Sequence, residues 1–187
     1  MCIFRDEKPM PKSSKEQIED DEKKIIAQLK TDPKRSINEI SENCGFSRQK
    51  VWRVVKKLEE EKTIWGYNVV LDDEKMNMNQ YILLIKSSPT PIKKIVEDIS
   101  DLSLDVAANV MGIDIHSGGL VNGKYDWILV FTAKDIKQAS KFKEVFLSKY
   151  SSIVSEVDLL EYIFPIKKCG IANPEVKKLN QLFSDLE

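Results

Sequence analysis

Residues 36–58 read SINEISENCGFSRQKVWRVVKKL and predict two short helices joined by a tight turn. Ser36 is followed three residues later by Glu39, which is the spacing of a capping box at the start of a helix. Gly45 suits the left-handed position just past a helix end, and Ser47 can cap the helix that follows. This order of caps and turn is typical of a helix-turn-helix.

The flanking segments extend this unit on both sides. An acidic run beginning near Glu19 is expected to start a preceding helix, where it would suit the positive end of the helix dipole. That helix must end before Pro33, because the residue before proline disfavours helical geometry. Residues 64–71, IWGYNVVL, are rich in β-formers around a glycine and predict a two-stranded wing.

The second half of the chain alternates strand and helix patterns. Strands are predicted at 81–86, 105–116, 125–132 and 153–164, with helices at 91–102 and 135–150. The order βαββαβ indicates a ferredoxin-like domain, so the predicted class is α/β (α+β). The expected organisation is a flexible arm (1–17), a winged helix-turn-helix (18–72), a linker (73–79), an effector and oligomerisation domain (80–164) and an extension with a C-terminal helix (165–187).

Composition narrows the classes of function. A 42% hydrophobic and 32% charged chain can bury real cores, and it has neither an apolar run long enough to span a bilayer nor a secretory signal. A cytoplasmic protein is therefore predicted. Cys2, Cys44 and Cys169 are too far apart for a zinc site or a disulfide framework, and Cys44 is expected to pack as a small hydrophobe. P-loop, dinucleotide and nucleophile-elbow motifs are lacking, so we predict no enzyme, cofactor or metal.

The charge distribution points to DNA. Net charge is −1, yet residues 34–57 hold seven basic residues against two acidic ones. A basic face on an acidic molecule attracts phosphate at one place. The predicted contacts to double-stranded DNA are Lys34, Arg35, Ser47, Arg48, Gln49, Lys50, Trp52, Arg53, Lys56 and Lys57.

Helical spacing assigns expected roles to the third helix. Arg48, Gln49, Trp52, Arg53 and Lys56 share one face when the valines and Leu58 face the core. The two arginines suit guanine and the glutamine suits adenine, whereas lysines 50, 56 and 57 suit phosphate. An amphipathic helix also has a solvated polar face without any ligand, which is the alternative interpretation.

Some predicted contacts have two readings of similar weight. Trp52 can lie against a sugar or a thymine methyl, or it can pack on Ile64 or Trp65. Lys34 and Arg35 precede the second helix, where they can bind phosphate or simply be solvated.

A hairpin in the second domain is a candidate effector site. Gly123-Lys124-Tyr125-Asp126 combines a turn glycine with an aspartate that can bind the amino group of a small effector. The candidate residues are Gly123, Tyr125 and Asp126. Alternatively, Asp126 only satisfies backbone amides of the hairpin.

These motifs together resemble the Lrp/AsnC (leucine-responsive regulatory protein) family over roughly residues 19–164. The similarity is carried by residues 40–47, by Leu58 and Glu59, by Gly66-Tyr67 with the Leu71-Asp72 that follows, and by the 123–126 hairpin. The resemblance implies a transcription regulator that forms homodimers or larger assemblies through the C-terminal domain. It also implies small effectors, typically amino acids, and DNA sites of dyad symmetry.

Two other functions compete with a DNA-binding regulator. Siroheme decarboxylases look like the same architecture used for catalysis, but His116 is the only histidine here. A DNA-free oligomeric effector-binding module is the other alternative.

Overall fold

The computed structural model describes residues 15–89 and 103–184, and the chain divides after Val69 into two compact units. The predicted arm up to residue 14 and the helix predicted over 91–102 lie outside the described residues. The N-terminal unit contains α1 (Lys15–Thr31), α2 (Ile37–Cys44) and α3 (Arg48–Glu60).

The capping signals of α2 and α3 are confirmed. Ser36 and Glu39 form the reciprocal capping box, and Ser47 Oγ accepts a hydrogen bond from the Lys50 amide at 3.2 Å. Gly45 adopts the left-handed conformation with φ of 67°, which ends α2 and aims the chain into the turn. Three fully buried side chains, Ile25, Ile40 and Val51, hold the three helices together, and Cys44 packs against them as predicted.

Three local predictions in this region are wrong. Helix α1 begins at Lys15 rather than near Glu19, so the acidic run lies beyond the first turn and does not serve the helix dipole. Residues 64–71 form no strand. An isolated two-stranded ribbon buries too little apolar surface to be stable alone, and Trp65 here is 94% exposed.

The second unit is built on an antiparallel sheet. Its elements are β1 (Asn79–Ser87), α4 (Ser103–Val110), β2 (Asp114–Leu120), β3 (Trp127–Ala133), α5 (Ile136–Lys149) and β4 (Val154–Glu161). The strand order β2-β3-β1-β4 is that of the ferredoxin-like fold. The core lies between one sheet face and the helices, with Tyr81, Phe131 and Phe142 fully buried.

Residues 105–116, predicted as one strand, split into the end of α4 and the start of β2. Leu104, Ala108 and Met111 recur at helical spacing and pack on the core, although the β-branched residues around them favoured a strand. Gly112, with φ of 70°, provides the sharp change of direction between the two elements.

The C-terminal extension follows β4. It forms a small hairpin of β5 (Lys167–Lys168) and β6 (Ile171–Ala172), then a 3₁₀ turn (Val176–Lys178) and α6 (Leu179–Ser184). The predicted terminal helix is therefore shorter than expected, and the hairpin was not predicted. A second 3₁₀ turn, Glu74–Met76, interrupts the predicted linker.

Candidate nucleic-acid interface

Helix α3 presents a polar face to solvent. Its core side is fixed by Val51 and Leu58, which are at most 2% exposed. Opposite them, Arg48, Gln49, Trp52, Arg53 and Lys56 are all exposed, so the structure brings these five predicted residues together on one surface. We call these five residues the α3 face.

The two arginines of the α3 face make no ion pairs with other described residues. Among the described residues, neither Arg48 nor Arg53 forms an ion pair, and Gln49 has no side-chain hydrogen bond. Lys56 Nζ lies 5.1 Å from the ring centroid of Trp52 and 3.8 Å from Glu60. Trp52 is 53% exposed and outside the apolar core, so it is a surface aromatic beside cations.

Two of the lysines predicted to contact phosphate form ion pairs that connect α3 to α1. Lys50 Nζ donates to the buried carboxylate of Asp21 and lies 4.0 Å from the ring centroid of Phe46. Lys57 Nζ donates to Glu22 at 2.7 Å, and this contact raises the pKa of Lys57. These lysines brace the fold of the unit, which their sequence positions did not reveal.

The two basic residues before α2 also differ in whether they contact α1. Lys34 is exposed and its ammonium has no ion-pair partner among the described residues, whereas the Arg35 guanidinium donates to Gln28 on α1. Gln28 also accepts from Asn43 at 2.9 Å, so Arg35 belongs to a network between α1 and α2. Ser47 Oγ is engaged as the cap of α3.

Among the described residues of this unit, Asp21 is the most buried carboxylate, with 3% of the residue exposed. Its hydrogen bond from Lys50 holds the pKa of the carboxyl below the ordinary value of 3.8, against the opposing effect of burial. A buried carboxylate is costly unless it is paired, so this contact helps fix α3 against α1. The acidic run from 19 to 22 is the signal available in the sequence, although its position suggests a role at the helix dipole rather than an ion pair with α3.

Asp21→Asn should lower the free energy of unfolding by roughly 1.5–3 kcal/mol at pH 7, because a charged hydrogen bond is lost. Since the folded-state pKa of Asp21 is lowered, its contribution is present above the unfolded-state value and disappears as pH falls below about 4. Urea unfolding of wild type and variant between pH 7 and pH 2 measures both effects.

Asp20→Asn is the matched control. Asp20 is exposed, and its ion pair with Lys23, at 3.5 Å, lies on the surface of α1. It should change stability by less than about 0.5 kcal/mol. Equal losses in the two variants, or a difference that does not shrink in acid, would contradict the assigned role of Asp21.

The candidate effector residues lie between β2 and β3. The Asp126 carboxylate accepts from the Ser87 amide at 2.7 Å through Oδ2, and Oδ1 has no partner among the described residues. The Tyr125 hydroxyl donates to Asp158 at 2.5 Å, while Gly123 is exposed in the turn. Asp126 therefore fastens the hairpin to β1 with one oxygen.

The described ranges contain no group of three or more metal-ligating side chains, and His116 Nε2 lies 3.2 Å from Thr132 Oγ1. None of the described helices is long and apolar enough to cross a membrane.

Comparison with known proteins identifies the kind of module present. Residues 22–64 match the family model described as winged helix-turn-helix DNA-binding. Over 142 residues, 73% of this chain and 82% of the relative, the sequence is 28% identical to an HTH-type transcriptional regulator of Pyrococcus furiosus. This relative is a regulator, which supports a role other than that of an enzyme.

Solved structures share the overall fold. An AsnC family transcriptional regulator from Agrobacterium tumefaciens matches with a TM-score of 0.61 at 20% identity, covering 79% of this chain and 92% of that one. A transcriptional regulator from Neisseria meningitidis in complex with L-Met matches with a TM-score of 0.61 at 19% identity, covering 84% and 94%.

Proposed function

We propose that this chain, a DNA-binding transcription regulator of the Lrp/AsnC type, binds duplex DNA by placing the α3 face in the major groove. The observation that carries the proposal is the exposure of Arg48, Gln49 and Arg53 without internal ion pairs, on a helix whose other side is buried. A major groove admits one α-helix, and a guanidinium can donate two hydrogen bonds to guanine.

The remaining cations divide by their contacts. Lys34 and Lys56 are exposed and suit phosphate, and Trp52 suits a sugar or a thymine methyl beside them. Arg35, Lys50 and Lys57 add positive potential, but their polar atoms are already engaged with α1. We therefore propose that sequence is read by three residues of the α3 face and that the exposed lysines fix the register. In this scheme residues 18–72 act as the DNA-binding domain.

The open face of the sheet supports homodimerisation. Ile82, Leu84, Ile128 and Val130 alternate with the buried core residues, so they lie on the face opposite α4 and α5. Leu160 pairs with Ile82 and extends this aliphatic surface onto β4 at 44% exposure. We call these five residues the open sheet face. An antiparallel sheet can expose one face to water when that face carries polar residues. A face of aliphatic side chains is instead stabilised when another protein surface packs on it.

Packing of two open sheet faces around a two-fold axis gives a dimer whose halves can engage a dyad-symmetric operator. The domain over 80–164 thus serves oligomerisation, and larger assemblies can be built from such dimers. We accordingly propose that the protein acts in the cytoplasm, where a regulator of this kind meets chromosomal DNA.

A small effector, such as an amino acid, is the remaining element of the proposal. The Neisseria meningitidis neighbour was crystallised with L-Met. In this chain, Asp126 Oδ1 is available to accept from an ammonium group, next to Tyr125 and the open turn at Gly123.

Recovery of genomic DNA bound to the tagged protein tests the function and supplies the operator. With Lys34 and Lys56 neutralising about two phosphates per subunit, the slope of log affinity against log salt should be about −4 for a dimer. Affinity that stays flat as salt rises, or recovery of no fragment above background, would contradict DNA binding.

A further inference from the structure

The C-terminal extension folds back on the segment that precedes β1. Residues 165–178, which we call the strap, contain the β5–β6 hairpin and the 3₁₀ turn. Asn173 closes the strap on itself, since its side-chain amide donates to the Pro165 carbonyl at 2.8 Å and its backbone amide to the Ile166 carbonyl at 2.9 Å. The strap therefore has a defined shape of its own.

Lys168 joins the strap to the segment before β1. Its ammonium donates to the Asp73 carboxylate and to the Leu71 carbonyl, the second at 3.3 Å. Both charged side chains are largely buried, with 19% of Lys168 and 15% of Asp73 exposed. A second ion pair, Lys75 with Glu175 at 3.5 Å, lies on the surface of the same contact.

This contact shortens the free part of the connection between the two units. The Tyr67 hydroxyl donates to Glu59 on α3 at 2.9 Å, so the N-terminal unit holds the chain up to Tyr67. The strap holds the chain again from Leu71. Among the contacts of the described residues, residues 68–70 are therefore attached to neither unit. Without the strap, the next attachment to the sheet is at Asn79, and residues 68–78 become the tether.

The two tether lengths differ in what they permit on DNA. Three residues span at most about 10 Å, whereas eleven span up to roughly 36 Å. Half-sites of a dyad operator are separated by about one helical turn, roughly 34 Å, or a multiple of it. A short tether therefore limits how far each DNA-binding unit can move, and a long one lets the two units adjust their separation.

We propose that Lys168 is a positioning residue that makes the regulator selective for the spacing of its operator half-sites. It acts by holding Leu71 and Asp73 against the strap. The inference rests on the proposed DNA binding by a homodimer, and it adds a property that the DNA-contacting residues alone do not provide.

The test uses the full-length protein and the variant Lys168→Met, which keeps the aliphatic stem and removes the charge. Hydrogen exchange of residues 71–78 should become at least about tenfold faster in the variant, because local opening there is no longer opposed. Asp73→Asn should have the same effect, and Lys167→Met, on the adjacent exposed lysine, should have none. Thermal unfolding of all three variants checks that the second unit stays folded.

Binding is then measured on the recovered operator and on a duplex with about five base pairs inserted between the half-sites, which is half a helical turn. The wild type should lose about 100-fold or more in affinity, because simultaneous engagement fails. Lys168→Met should lose less than about tenfold, and it should bind the natural spacing roughly sevenfold more weakly, since effective concentration falls with tether length.

The outcomes separate the two proposals. If hydrogen exchange is unchanged in Lys168→Met, Lys168 does not restrain the segment before β1, and the inference is wrong whatever the DNA affinities are. Faster exchange with an unchanged spacing penalty overturns its link to operator choice. A wild type that retards no DNA overturns the proposed function, and the exchange measurement then decides the strap alone.

Discussion

Arg53→Ala should weaken binding to the cognate operator by roughly 1–3 kcal/mol, about 5- to 150-fold, and Arg48→Ala should do the same. Both side chains are exposed on the α3 face, and neither is held in an ion pair among the described residues. Their full hydrogen-bonding capacity is therefore available to a base edge. Truncation removes two donors from the complex without unfolding the free protein.

The pattern of losses matters more than their size. Arg53→Ala should relax the preference at one base pair per half-site, whereas Lys56→Ala should weaken all sequences alike and reduce the salt slope by about 1 for each subunit. Titration of the operator and of single-base variants separates these effects.

Lys30→Ala is the control, because Lys30 is an exposed cation on α1, outside the α3 face. It should leave both affinity and preference unchanged. A uniform loss in Arg53→Ala across all duplexes would show that Arg53 contacts phosphate and would remove its assigned part in reading sequence.

Val130→Asp should convert the proposed homodimer into monomers. Val130 lies on the open sheet face, paired with Ile82 on β1. Burying an unpaired carboxylate there costs roughly 3–5 kcal/mol per subunit, so the dimer dissociation constant should rise by at least about three orders of magnitude. Sedimentation equilibrium measures the change directly, and operator affinity should fall with it because two half-sites are no longer linked.

Ser148→Asp adds the same charge to the exposed side of α5 and serves as the control. It should remain dimeric. A dimer of unchanged affinity in Val130→Asp, with circular dichroism showing an intact fold, would mean that the subunits associate through another surface.

Local signals in the sequence carried much of the fold. Ser36, Gly45 and Ser47 mark helix boundaries through contacts within three or four residues, and the structure has those boundaries where they were predicted. The strands at 64–71 were predicted from β-propensity around a glycine, and propensity does not create a strand without a neighbour to pair with. Residues 105–116 failed for a related reason, since tertiary packing of Leu104 and Ala108 overrides the local preference.

In the candidate site, too, the features set by local sequence could be predicted and those set by distant contacts could not. Helical periodicity was enough to place Arg48 and Arg53 on one face, because both belong to a single helix. The engagement of Lys50 depends on Asp21, 29 residues earlier, and that of Lys168 on Asp73, 95 residues earlier. The periodicity of one element does not report such a pairing. In the sequence alone, these lysines therefore cannot be distinguished from solvated ones.

Some basic residues of the N-terminal unit are held in ion pairs and others are not, and this difference determines how the protein responds to salt. Mobile ions screen exposed charges far more effectively than partly buried ones. Rising ionic strength should therefore detach the arginine surface from a duplex well before it loosens Lys50 from Asp21, whose side chain is only 5% exposed. If the proposed interface is correct, high salt should release the protein from DNA while its N-terminal unit stays folded, so that lowering the salt restores binding.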